Sequence, residues 1–342
     1  MSFTKEKRAK IKNYLLELLD KSDANFITKT VKKYEVTRQT IYKYLRDLES
    51  DKIIKRNEKN KKLELIRTDF EYLLHNDDLQ EDVVFKENIY KHVEKLPDNL
   101  KMIWRYGFTE MLNNAIDHSE SKKIFCFVTV NYVSISIYIL DSGVGIFDKI
   151  REHYELDSLK SAIIELLKGK LTTDSAKHSG EGIFFTSRMF DRFFIFSSQV
   201  YFKHYDDFDA INRLDFPDTH SIGKGTVVMM KLSNSSKRTT KEVFDMFAST
   251  DGGFTKTEVR IKDTIDNDMG FPVSRSEAKR LYNRFEKFEN VILDFNDISD
   301  IGQGYAHELF VVFKTQHPNV KMQIKNANSQ VKKMINHVKR TD

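Results

Sequence analysis

Glu110 and Asn114 stand four residues apart, a spacing that sets both side chains on one face of a helix. A carboxylate beside a carboxamide on such a face can orient water and hold a hard cation through oxygen ligands. Further on, Asp141 lies two residues before Gly143 and four before Gly145, at the end of the apolar run Val133 to Leu140. Glycines let backbone N–H groups approach phosphates, and an aspartate at a strand end can accept from an exocyclic amine. Gly180 and Gly182 open the next helix, and Gly225-Thr226 open a further strand. A helix N-terminus favours anionic charge. Taken together, these are the parts of a nucleotide site.

The elements that must position them follow from periodicity. A long helix spans about Leu100 to His118, and two alternating strands follow around Ile124 to Val130 and Val133 to Leu140. A helix near Ser158 to Leu167, a polar segment to Ser179, and strands near Phe193 to Phe202 and Thr226 to Leu232 complete the region. In this order the pieces resemble the GHKL (Bergerat-fold) superfamily of ATPases and kinases, over about residues 100 to 232. Glu110-x-x-x-Asn114-Ala115-x-x-His118 is similar to the N-box, closest to that of the anti-sigma serine kinases. Asp141-x-Gly143-x-Gly145-Ile146 resembles the G1 box, Gly180-x-Gly182-Ile183 the G2 box, and Gly225-Thr226 the last nucleotide-facing turn.

The resemblance implies ATP and Mg²⁺ as cofactors, with Gly143, Gly145, Gly180 and Gly182 at the nucleotide. Asn114 would hold Mg²⁺ through the phosphates, and Asp141 would read adenine with support from Thr226. Glu110 would be the general base. Leu171 to Ser179 would form the lid, with Lys177 as a phosphate contact. His118 is read as packing at the helix end, not as a catalytic group.

Residues 1–68 hold 19 Lys and Arg against 10 Asp and Glu, a net of +9 in a chain whose total is +5. Such a concentration of positive charge at one end suggests a polyanion-binding module. The segment reads as three helices and a charged hairpin. Thr37 caps the third helix, where Ile41, Tyr44, Leu45 and Leu48 form one face. Gln39, Tyr42, Lys43 and Arg46 form another, with no aliphatic member. This resembles the winged helix-turn-helix of bacterial regulators, whose second motif helix enters the major groove. The resemblance puts Arg38, Gln39, Tyr42, Lys43 and Arg46, with the wing lysines Lys59, Lys61 and Lys62, against double-stranded DNA.

The last third alternates strand and helix from Glu258 to Val338, a small α/β unit. Val291 to Phe295, the turn Ile301-Gly302-Gln303-Gly304-Tyr305 and the later Asn326-Ala327-Asn328 resemble the STAS-like domain found fused to GHKL ATPases. Its distant relatives accept phosphate on a serine at this turn. Gly302, Gln303 and Gly304 offer no hydroxyl, so docking is expected, with residues 302 to 308 contacting another domain, a second copy of the chain or a partner protein.

The expected fold class is α+β and multidomain. It comprises a winged helix-turn-helix over 1–68, a helical connector over 69–99, a GHKL α/β sandwich over 100–235 and a small α/β STAS-like domain over 250–342. No apolar run approaches the roughly 18 residues of a membrane helix, and neither a membrane nor a secretory signal is expected. The single Cys126 lies in an apolar run and excludes an internal disulfide, which fits a reducing cytoplasm. The expected function is a cytoplasmic ATP-binding, slowly hydrolysing regulator whose nucleotide state controls domain docking and DNA occupancy. A protein kinase acting in trans and a nucleic-acid-sensing ATPase of phage defence are the competing readings.

Overall fold

Three amphipathic helices close on one another at the N-terminus of a computed structural model that describes residues 3–171, 180–203, 224–249, 253–265, 267 and 269–340. Helices α1 (Lys5–Asp20), α2 (Phe26–Tyr34) and α3 (Arg38–Ser50) bury Ile11, Leu15, Leu16, Ile41, Leu45 and Leu48. Thr37 caps α3, its hydroxyl accepting from the Thr40 amide at 3.2 Å. The hairpin β1 (Ile54–Arg56) and β2 (Leu63–Leu65) follows, in antiparallel register.

A helical connector was expected from residue 69, and the structure corrects this. The chain leaves β2, passes Ile66, whose amide donates to the Ile53 carbonyl, and continues as strand β3 (Arg67–His75). The alternation is plain afterwards: Phe70, Tyr72 and Leu74 turn inward, while Glu71 and Leu73 are exposed. Before α6 only residues 81–93 of this stretch are helical, as α4 (Glu81–Val84), a π turn (Phe85–Ile89) and α5 (Tyr90–Val93). The N-terminal unit is therefore joined to the next by one residue between two strands.

After α6 (Asp98–His118) come β4 (Lys123–Asn131), β5 (Ser134–Asp141), α7 (Ile146–His153), α8 (Leu159–Lys168), α9 (Gly182–Met189), β6 (Arg192–Ser197), β7 (Val200–Lys203), β8 (Thr226–Ser233) and α10 (Thr240–Phe247). Six strands form one antiparallel sheet in the order β3-β4-β5-β8-β6-β7. Register aligns its inner face in rows: Phe70, Val128, Ile137, Met230 and Phe193 in one, Tyr72, Cys126, Ile139, Val228 and Ile195 in the next. Against them α6 lays Ile103, Trp104, Phe108, Met111, Leu112 and Ala115, spaced as a helical stripe demands. Truncating Trp104 or Phe108, both fully buried, would cost about 3–5 kcal/mol. Cys126 sits in this core, and burial pushes its thiol up to about 12.

The third unit begins at β9 (Lys256–Arg260) and continues through a 3₁₀ turn (Ile261–Thr264), α11 (Arg275–Tyr282), a 3₁₀ turn (Phe285–Lys287), β10 (Asn290–Asp294), α12 (Gln303–His307), a π turn (Glu308–Val312), α13 (Phe313–Gln316), β11 (Lys321–Lys325) and α14 (Ser329–Arg340). Its three strands are parallel, in the order β11-β10-β9, as crossover helices require. The architecture is mixed α+β throughout, as the sequence pattern implies. Among the described residues no helix is long and apolar enough to cross a membrane.

The third unit docks on α8 and α9. Lys168, on α8, is fully buried; its Nζ donates to Glu165 at 2.6 Å and to the Asn283 carbonyl. Asn283 donates to the same Glu165 carboxylate at 2.9 Å, Thr257 to the Lys168 carbonyl at 2.7 Å, and Arg188 of α9 to the Glu258 carbonyl at 3.1 Å. Residues 302 to 308 supply none of these hydrogen bonds. Gly302 is pressed on the Val273 carbonyl, Tyr305 and Ala306 are buried, and Glu308 is buried with the Tyr282 hydroxyl donating to it at 3.0 Å. Gln303 stays exposed, and Gly302, Gly304 and His307 are half-buried.

Candidate functional site

The apolar rows of the sheet run out at one end. Beyond Ile139 and Val228, the next inward row is Ile124, Asp141, Thr226 and Ser197. Three polar side chains thus stand side by side on β5, β8 and β6, although they come from distant parts of the chain. Asp141 is buried, and its Oδ1 accepts from the Gly143 amide at 2.9 Å and the Thr226 amide at 3.2 Å. Burial pushes its carboxyl up to about 6, with those two bonds pulling the other way. The Thr226 hydroxyl accepts from the Ile146 amide at 3.1 Å, so the threonine holds both the aspartate and the start of α7. Ser197 donates to the Gly225 carbonyl at 2.7 Å.

The glycine loop is shaped by close approach. A Cβ on Gly143 would stand 1.8 Å from the Ser119 carbonyl oxygen at the end of α6, so only glycine fits. Gly145 adopts φ +85°, in the left-handed region, and opens α7. A Cβ on Gly182 would meet the Glu110 carboxylate at 2.0 Å, which shows how closely α9 is pressed on α6.

These elements enclose a cavity of about 290 Å³. Glu110, Asn114, Asp141, Gly180, Gly182 and Thr226 line it; Gly143 and Gly145 are not among its lining residues. Apolar walls come from Ile139, Leu166, Phe184, Ile195 and Val228. Among the described residues the Asn114 side chain meets no hydrogen-bonding partner. No group of three or more His, Cys, Asp and Glu side chains among the described residues could hold a metal ion by itself. Lys177 and the expected lid beyond Leu171 lie outside the described residues. His118 lines the wall at the helix end.

Lys149, like Asn113 and Ser119, is a polar wall residue that sequence reading missed. It lies on α7 with its Nζ donating to the His118 carbonyl at 2.8 Å and 3.5 Å from Glu120. Ile146 and Ile150, at i and i+4 around it, were the available signal for that helix. Tyr106, one turn before Glu110, is held neutral by burial and by the carboxylates of Glu110 and Glu181.

At the other end of the molecule Arg38, Gln39, Tyr42, Lys43 and Arg46 are all exposed on α3, and Lys59, Lys61 and Lys62 are exposed between β1 and β2. Gln39, Tyr42 and Arg46 border a shallow groove with Glu49 and Arg56. The N-terminal unit is held on the sheet by Asp20, 2.8 Å from Lys231 and accepting from Asn131 at 3.0 Å.

Comparison with curated proteins gives no match. Residues 277–332 match the family model described as a STAS-like domain of unknown function (DUF4325), so the third unit carries a STAS-like domain.

Proposed function

We propose that this chain binds Mg·ATP in the cavity between α6, α9 and the sheet, hydrolyses it slowly, and uses nucleotide state to control domain docking and DNA occupancy. The observation that carries the reading is the cavity that gathers Glu110, Asn114, Asp141, Gly180, Gly182 and Thr226 from four separate stretches of sequence. On this reading residues 67–233 are a GHKL domain and residues 1–66 a winged helix-turn-helix. Asp141 presents a buried carboxylate that can accept from the adenine amine, fixed by two backbone amides. Apolar walls exclude water around the base. Asn114 would hold Mg²⁺ through the phosphates, and the unpartnered carboxamide on the wall fits that task. Bound Mg²⁺ would neutralise charge developing on the phosphates. Glu110 lies beside the Gly182 backbone at the start of α9, and on this reading it is the base that orients water.

The α3 surface fits duplex DNA because its exposed residues are polar or cationic and its buried face is already used in the unit's core. Strand continuity from β2 into β3 connects that surface to the sheet. Asn114→Ala should weaken Mg·ATP binding and Glu110→Ala should retain binding while losing hydrolysis, read by calorimetry and phosphate release. Labelled γ-phosphate separates the competing readings: label on protein means a kinase, free phosphate an ATPase. Failure of both Asn114→Ala and Asp141→Ala to change ATP affinity would sink the assignment. Lys43→Ala should weaken duplex binding across sequences, and Gln39→Ala should relax preference at one base position.

A further inference from the structure

Helix α14 carries a charge pattern that neither the cavity nor the STAS-like turn uses. Between Glu308 and Asp342 the sequence contains seven Lys and Arg and no acidic residue. Residues 314–342 have a net charge of +6 and residues 1–68 one of +9, while residues 69–313 between them have −10. The chain is thus basic at both ends and acidic in the middle. Val331, Ile335 and Val338 bury one stripe of α14 in the core, at 0%, 2% and 1% exposure. The opposite stripe, Lys332, Lys333, Asn336, Lys339 and Arg340, is exposed. Among the described residues none of its four cations has a carboxylate partner; Lys339 lies 5.6 Å over the Phe310 ring. The helix is held firmly: the Asn328 side chain accepts from the Val331 amide at 2.9 Å and donates to the Ile298 and Ser299 carbonyls at 2.9 Å.

The chemistry of the stripe narrows its partner. A lipid surface takes up an amphipathic helix by burying its apolar face, but here that face is spent in the core, and no large exposed hydrophobic lies on α14. Protein interface cores favour aromatic residues and Arg and are depleted in Lys; three of the four cations are Lys, and the stripe has no aromatic. A uniform polyanion remains. The 12-residue helix is about 18 Å long, which spans roughly ten duplex charges at about one per 1.7 Å. The two basic pairs are seven residues apart, about 10 Å along the axis.

We infer that α14 is a second contact for the phosphate backbone of double-stranded DNA, independent of sequence, so that the chain engages DNA from both basic ends. This deepens the DNA-binding reading above. It is tested on the full chain by fluorescence anisotropy with a labelled duplex across a salt series. Lys332→Gln/Lys333→Gln should weaken binding about tenfold at low salt and flatten the log–log salt slope by about 2, near 0.9 for each phosphate that the variant leaves unneutralised. Lys339→Gln/Arg340→Gln should do the same. These side chains are exposed, so thermal unfolding should not move. Lys43→Ala/Arg46→Ala serves as the separate probe of α3. Loss of binding in that variant with no change in either α14 pair overturns the inference and leaves α3 as the DNA surface. Weakening by the α14 pairs alone overturns engagement from both ends, removes the α3 reading and leaves α14 as the DNA surface. No binding by the unmodified chain at low salt overturns both. Retention on phosphatidylserine vesicles that the same α14 substitutions abolish, with DNA affinity unchanged, assigns the stripe to lipid instead.

Discussion

Among the described residues two aspartates end strands and are followed by glycine-containing turns, and Asp141 is the one that lines the cavity between α6 and α9. Asp141 ends β5, and its carboxylate accepts from the amide two residues on and from Thr226 on the neighbouring strand. Asp294 ends β10; its carboxylate accepts from the Asn296 amide at 2.9 Å and from Asn326, just beyond the neighbouring strand, also at 2.9 Å. Locally the two are the same device. They differ in what lies ahead of the carboxylate. Beyond Asp141, α6 and α9 stand away from the sheet end and leave room with apolar walls. Beyond Asp294 the chain folds back at once, and Gly302 closes on the Val273 carbonyl. A buried, cavity-facing acid and a structural turn can therefore share their motif, and the helices opposite decide which it is.

The largest expected effect tests the join between the two regions. Lys168→Ala removes one partner of a fully buried ion pair within α8, Lys168–Glu165, both members of which also hydrogen-bond to Asn283 of the third unit. It should lower stability by about 3–5 kcal/mol, the cost of stranding a buried charge. Denaturant unfolding checks this. A loss below about 1 kcal/mol would mean that the units do not depend on this contact, and the two turns could then be treated as independent.

Next in size is the direct contrast. Asp141→Ala should abolish measurable ATP binding in a calorimeter, since a charge-assisted bond contributes about 1.5–3 kcal/mol, roughly 10- to 150-fold, before the adenine amine is left unpaired. Asp294→Ala should leave ATP affinity unchanged. Equal losses in both variants would erase the distinction between the two turns.

The pH profile sharpens it. With its carboxyl raised to about 6, Asp141 is increasingly protonated below that value and loses the charge that strengthens it as an acceptor. ATP affinity should fall about tenfold per pH unit below 6, and Asp141→Asn should remove this dependence. The sign for stability is opposite. A folded-state value above the ordinary carboxylate range favours the fold at pH below about 4, and the contribution is lost as pH rises through about 6. The smallest effect belongs to Asp294→Ala, which should cost about 1 kcal/mol for its two partly exposed hydrogen bonds, visible as a shift of a few degrees in thermal melting.

Much of the fold was legible in the sequence because its signals are local. The α6 stripe from Leu100 to Ala115, the Thr37 cap and the alternation of Ile135, Ile137 and Ile139 each need only a few neighbouring residues. The chemistry-bearing letters were legible too, since Glu110 and Asn114 share a helical face by spacing alone. Strand β3 was missed because an edge strand with Asp69, Glu71 and Leu73 facing out shows little net hydrophobicity, and its partner Lys123–Asn131 is some fifty residues away. Only the tertiary structure decided the rest. Register between β5, β8 and β6 aligned Asp141, Thr226 and Ser197 into one row, and no short-range pattern encodes a pairing across 85 residues. Burial of Lys168 likewise depends on α11 arriving from more than a hundred residues away. The same long-range packing turned Tyr305, Ala306 and Glu308 inward: a glycine permits close approach, but the surface that approaches it is set by the packing of the whole unit.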